Sequence, residues 1–372
     1  MTTSFRGSFR GSFRGSFRAA SRAALVAAAT LALAAGLSPA TPATSATSAA
    51  GTSSRPAPST VLDVRGLEQG DPPAVAWSER RSGRTVIHGT GGTRTPAPNR
   101  LDQFAPMGSG HVIQTIGASG ARTRWIGADG TPGRREWRTG YGLAVSAQGK
   151  AVAFSGKAGK VWSIDEAGDR VLSFNPVPIS GKGRAVALFG EDCKEGATSN
   201  GCTVYVNGPN RAYYTSSHGI VDRPPHLRLT STGRGRWIGG ITSLSDMGSC
   251  SAMLRSWKVK WRTCDNQLSD IAPDNRHVLG TPAYADGFGP GTLDLLTTAD
   301  GSVARSFTSA RNGRSATYFD EVWEDADHVL VVTYQADRWA VVRLGVDGSM
   351  EYAVAPRRGS MDARAPFRLQ TR

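Results

Sequence analysis

The chain of 372 residues carries 44 Lys and Arg against 30 Asp and Glu, a formal charge of +14, and has only four cysteines. The basic residues are scattered singly or in pairs, with no run of five like charges. Clustered cations among stacking aromatics, the mark of a nucleic-acid groove, are missing, so nucleic acid is not an expected partner and the charge reads as a solvated basic surface.

The first 50 residues read as an export segment. Ser-Phe-Arg-Gly repeats place Arg6, Arg10, Arg14, Arg18 and then Arg22 in a stretch without an acid, followed by an apolar run from Ala23 to Leu37 and small residues with prolines. That order is the basic region, apolar region and cleavage zone of a secretory signal. A membrane-spanning helix wants about 20 apolar residues, more than the 15 from Ala23 to Leu37. Cleavage between Ala40 and Ala50 is expected, giving a secreted mature form without a membrane span. The same segment holds five arginines, so +9 of the formal charge falls on residues 51–372. Such a surface attracts anionic cell-surface polymers.

Residues 51–60 (GTSSRPAPST) form a polar linker, and residues 61–372 one domain. Helical periodicity is almost absent there, while short β-branched or aromatic runs alternate with turn residues, so the class is all-β. One apolar strand recurs as AVAWS (74–78), HVIQTI (111–116), AVAFS (151–155), AVALF (185–189), RWIGGI (236–241), HVLGT (277–281) and HVLVVT (328–333), with starts 34 to 51 residues apart. That spacing predicts a β-propeller of seven four-stranded blades, with six or eight left open. Asp-Gly pairs at Asp129, Asp300 and Asp347 lie between strands and predict two-residue hairpin turns with both residues at positive φ. Ring closure is expected from VLDV at 61–64 or FRLQ at 367–370.

Two repeats add a strand and a turn before the recurring strand: LAVSAQGKAVAFSG from Leu143 and LSDIAPDNRHVLGT from Leu268. In these residues the chain resembles the WD-repeat-like and TolB-type propellers, and a secreted bacterial protein of that kind is what the resemblance implies. It further implies blades around a central channel with binding on the loop faces, and transfers no active-site residue.

In an exported chain an even cysteine count predicts disulfides. Of three connectivities, the local one, Cys193 with Cys202 and Cys250 with Cys264, is favoured because each pair flanks a turn-rich stretch. Loops of that size stabilise by roughly 2.5–3 kcal/mol each. No zinc or redox spacing occurs among the cysteines, and no cofactor or metal is expected.

Other chemistry is sparse. His111, His277 and His328 each precede the valine of the recurring strand, which marks them as structural donors to a neighbouring blade turn. A Gly-x-Ser-x-Gly elbow is absent from the sequence, so no serine hydrolase is expected. Glycoside cleavage needs two carboxylates about 5–9.5 Å apart, for which Asp192, Asp286, Asp320, Glu321 and Glu324 are candidates. The loop TPAYADGFGPG (281–291) presents Tyr284, Asp286 and Phe288, and Trp323 precedes a recurring strand. These four are the candidate binding residues, since aromatics on loops contact sugars and peptides. The expected function is a secreted, monomeric, non-enzymatic module for a protein, peptide or cell-envelope polymer. The alternatives are an extracellular polysaccharide hydrolase or lyase with carboxylates at the channel mouth, and an accessory domain that assembles with another exported protein.

Overall fold

Tight turns fold the chain into successive antiparallel meanders. The computed structural model describes residues 57–165, 171–191, 193, 201–284, 291–309 and 316–372. The export segment, Asp192, Asp286 and Phe288 lie outside these residues.

The Asp-Gly turns differ from the expected type. Gly130, Gly301 and Gly348 have φ of 77–95°, but their aspartates do not adopt positive φ. Instead each carboxylate accepts the backbone N–H two residues on, from Thr131, Ser302 and Ser349, at 2.9 Å. At Gly127 and Gly345 an N–H bond from the third residue closes a longer loop ending in the left-handed glycine. Aspartate thus caps the turn through its side chain and needs no strained backbone.

Hydrogen bonding among the described residues draws six sheets. In chain order, Trp77–Arg81, Arg84–His88 and Arg94–Ala97 form the first with the distant strand Phe367–Leu369. A seven-stranded sheet runs through Leu101–Met107, Gly110–Gly117, Gly120–Gly127, Pro132–Val145, Ala151–Gly156, Val161–Asp165 and Val171–Phe174. Four meanders follow: Arg184–Phe189 to Val221–Asp222, Leu229–Arg234 to Lys258–Thr263, Asn266–Ile271 to Val303–Thr308, and Thr317–Trp323 to Met350–Arg358. The expectation of seven four-stranded blades is therefore corrected: the described residues form five sheets of four or five strands and one of seven.

The physical cause is the long strand Pro132–Val145. It pairs with Gly120–Gly127 through its first half and with Ala151–Gly156 through its second, with a register break between Thr139 and Leu143. A Cβ on Gly140 would sit 1.8 Å from Gly183 O, so only glycine lets the strand pass the neighbouring chain. The buried Gln114 amide pins this crossing, donating to Thr123, Thr139 and Gly140 and accepting from Gly142 N at 2.9 Å.

Closure uses the C-terminal candidate. Phe367–Leu369 pairs antiparallel with Trp77–Arg81, and Gln370 exchanges two hydrogen bonds with Ala76. The N-terminal candidate behaves differently: Ser59–Val61 adds a parallel edge strand to Val303–Thr308, so pairing begins within the stretch read as linker.

The recurring strand lies second from an edge of its sheet in five of seven cases, and Ala151–Gly156 is third from an edge of the seven-stranded sheet. Arg184–Phe189 is instead an edge strand, and Thr203–Asn207 takes the second place. Both runs are apolar, and the cysteine-bearing insertion between them masks the repeat. Strands such as His328–Gln335 are buried on both faces, because sheets pack against each of their sides. Apolar clusters fill the gaps between consecutive meanders, including one between the halves of the seven-stranded sheet, where Ala105, Met107 and Val112 meet Leu143, Val152 and Phe154. This all-β arrangement of radial four-stranded meanders closed by the last strand is a β-propeller.

Candidate functional site

The first strand of each meander faces a central channel of about 240 Å³. Asp102 and Gln103, Tyr141 to Leu143, Arg184, Ser231, Asp270, Asp320 with Glu321, and Arg368 line it, each group from a different strand. Convergence of these side chains follows from radial packing: residues of every first strand must point inward at equivalent positions.

Several lining groups are occupied with the neighbouring strand. Leu143 N donates to Gln103 Oε1 at 3.0 Å, Trp323 N to Asp270 Oδ2 at 3.0 Å, and Leu369 N to Asp320 Oδ2 at 2.9 Å. An inner-strand carboxylate or amide thus satisfies a backbone donor of the next meander, which otherwise would be an unpaired buried polar group.

Burial sets the electrostatics here. It pushes the Asp320 carboxyl up to about 6, and it pushes Glu321 up to about 7 with the Asp320 and Asp270 charges adding to the rise. Burial raises Asp270 as well, while hydrogen bonding from Trp323 N and the charges of Arg372 and Arg234 oppose it. Opposite them, Arg364 and Arg368 approach Asp102 at 3.4 and 4.0 Å. A carboxyl that titrates near neutrality can donate or accept a proton. Among the described residues no group of three or more His, Cys, Asp or Glu is placed to hold a metal ion.

The carboxylate candidates separate in the structure. Asp320 and Glu321 face the channel. Glu324 is buried, and its carboxylate accepts from Ala74 N and from Arg343, which also pairs with Glu351. That buried ion pair ties the chain before the first sheet to the last meander.

Trp323 is not a surface contact. It has no exposure, packs in the core with Leu279 and Val331, and donates from Nε1 to Asp270 O at 3.1 Å. The strand Thr317–Trp323 extends through a stretch that read as a loop, and this turns the indole inward. The recurring histidines also depart from expectation. His111 is buried, with its pKa lowered by burial to about 4, and His277 stacks on Trp323 with ring centroids 5.9 Å apart. His328 bonds Asp325 at 3.0 Å within its own turn and not in a neighbouring one.

Tyr284 is 55% exposed at the end of the described part of its loop. Its neighbourhood is built by the second cysteine pair. Cysteines form the two local disulfides, Cys193–Cys202 and Cys250–Cys264. Cys250 lies in Gly248–Arg255, whose hairpin with Trp237–Ser245 carries Leu244 and Met247, exposed at 50% and 84%. Next to Cys264, Asp265 O accepts from Ala283 N at 2.8 Å, and a Cβ on Gly248 would lie 3.4 Å from Tyr284 Cβ. Disulfide, hairpin tip and Tyr284 therefore form one edge with three exposed apolar side chains. Leu244 and Met247 were missed by the sequence reading. Their signal was two large apolar residues flanking a Ser-Asp turn, where a hairpin tip cannot bury them.

No family model and no curated protein matches the chain. Solved structures that resemble it include the β-propeller domain of Swd1 (Cps50) from Myceliophteria thermophila, at 10% identity and a TM-score of 0.45, covering 70% of this chain and 87% of that one. The uncharacterized protein lmo1340 from Listeria monocytogenes aligns at 11% identity and a TM-score of 0.44, covering 79% and 95%. BamB from Moraxella catarrhalis aligns at 10% and 0.41, covering 77% and 83%. The fold assignment rests on the strand order described above.

Proposed function

We propose that this protein is an exported β-propeller that binds a protein or peptide through the edge formed by Leu244, Met247 and Tyr284. The observation that carries the reading is the exposure of these three side chains on a disulfide-braced edge. Apolar side chains held in water on a rigid support favour a partner that covers them. Leu and Met suit a peptide's apolar side chain better than a glycan.

Export is supported by the basic and apolar N-terminal sequence and accords with the two disulfides, which persist in oxidising compartments.

Panning a random-peptide display library on the full chain tests the binding role. Selected peptides are expected to bind at least tenfold more weakly to the L244S/M247S/Y284S variant, which keeps the parent's thermal stability because the three positions are exposed. Equal affinity for parent and variant, or failure to select any binder, sinks the proposal. N-terminal sequencing of the exported form tests the location, and a mature chain beginning near Thr2 would overturn it.

The channel carboxylates support a second reading, extracellular polysaccharide cleavage, through the raised values of Asp320 and Glu321. Turnover of a polysaccharide by the parent and its loss in D320N/E321Q would establish it. Retention in that variant would remove it.

A further inference from the structure

A different part of the ring carries an uncompensated positive charge. The turn from Leu229–Arg234 into Trp237–Ser245 holds Arg234, Gly235 and Arg236, and the strand Gly248–Arg255 ends beside it. In the next meander, the turn Asp274, Asn275, Arg276 and the residues Thr298 and Ala299 stand opposite. Together they line an open groove of about 530 Å³ that bridges two sheets. Gly235 and Asn275 take φ of 62° and 63°, the left-handed backbone that makes these turns sharp enough to leave the groove between them.

The charges in the groove do not cancel. Arg276 is neutralised by Asp274, with Asp327 3.8 Å away. Arg236 and Arg255 are exposed, and neither meets a carboxylate among the described residues. The Arg255 guanidinium lies over the Trp237 ring at 5.3 Å, a cation–π contact that holds its planar fork in place. Asn275 Oδ1 is buried against Gly235 without a hydrogen-bond partner. A guanidinium fixed in this way presents paired N–H donors matched to phosphate or carboxylate oxygens.

We propose that this groove binds a linear polymer bearing repeated oxyanion groups, phosphate or carboxylate, with Arg236 and Arg255 as the two anchoring cations and Trp237 as the platform for one of them. An open trough suits an extended chain better than an enclosed small molecule, and two arginines that meet no carboxylate among the described residues, at one end of the same sheet, suit successive anions along it. The site shares no residue with the apolar edge of Leu244, Met247 and Tyr284, so the two proposals stand or fall separately.

Titration of the full chain with long-chain inorganic polyphosphate, with polygalacturonate and with inorganic phosphate, at two salt concentrations, tests the groove. Tryptophan fluorescence and calorimetry give the readout. At least one polymer is expected to bind, more tightly than inorganic phosphate. Polyphosphate alone assigns phosphate as the anion, polygalacturonate alone assigns carboxylate, and both assign the oxyanion they share. The R236A/R255A variant is expected to lose at least tenfold in affinity and to lower the salt-dependence slope by about 2, one for each anion contact removed. R134A/R135A, which removes two exposed arginines from Pro132–Val145, is the charge-matched control and is expected to change affinity less than threefold. Equal losses in the two variants would reduce the effect to diffuse attraction and overturn the proposal, as would the absence of binding to either polymer. Binding of L244S/M247S/Y284S to the polymer at the parent's affinity would confirm that the groove acts independently, and a tenfold loss there would overturn that assignment. Unchanged thermal melting shows that each variant is folded.

Discussion

On the channel wall, Asp270 and Asp320 lie deep among seven converging strands and spend an oxygen each on a neighbour's backbone N–H. At the disulfide-held edge, Leu244 and Met247 stand in water on a hairpin tip that a covalent bond braces at its base. Polar groups are thus buried where the ring needs hydrogen bonds between meanders, and apolar groups are exposed where it needs none. The inversion shows that residue polarity alone does not locate function in this fold. A buried carboxylate here is first an element of assembly, whereas an exposed leucine has no such duty.

Three measurements sharpen the contrast, beginning with the largest effect. Trp323→Ala is expected to cost about 3–5 kcal/mol in denaturant unfolding, the range for emptying a buried aromatic site. If Trp323 were a loop contact, the loss would stay within about 0.5 kcal/mol. The second measurement concerns the edge. C250S/C264S is expected to lose about 3 kcal/mol, from a loop of 14 residues. It should also speed hydrogen exchange at residues 243–249, while C193S/C202S leaves exchange there unchanged. Equal exchange in both variants would mean that the nearby disulfide does not brace the hairpin.

The third uses pH. The Asp320 and Glu321 carboxyls rise on folding from 3.8 and 4.5 to about 6 and about 7. The folded state therefore keeps protons that the unfolded chain has released, a stabilisation complete below about pH 4 and lost as pH climbs through 6 and 7. The parent should lose stability relative to D320N/E321Q as pH rises from 4 to 7.5. His111 acts with the opposite sign, since burial lowers it to about 4. Its stabilisation is present above pH 6.5 and fades as pH falls through 4, and both proteins retain it. Parallel stability profiles for parent and variant would show that the channel does not hold these carboxyls protonated.

Much of the fold was legible because strand alternation and turn chemistry are local. The HVIQTI, HVLGT and HVLVVT runs became second strands, FRLQ closed the ring, and both local cysteine pairs formed. AVALF failed as a repeat marker because inner and second strands are equally buried, so their apolar patterns look alike. The candidate site was less legible. Trp323 and Tyr284 both stood near strand ends in the sequence, yet one became core and the other surface. Their difference depends on Asp270, 53 residues from Trp323, and on the Cys250–Cys264 hairpin beside Tyr284.

The sequence by itself determined the all-β class, the spacing of the strands and the turns that reverse them, since each depends on neighbours within a few positions. Only the tertiary structure decided that one long strand joins two meanders into a single sheet, that Asp320 and Glu321 titrate near neutrality, and that Arg236 and Arg255 line one groove without meeting a carboxylate among the described residues. Burial and electrostatic pairing sum over groups brought together from distant parts of the chain, and ring closure is what brings them together.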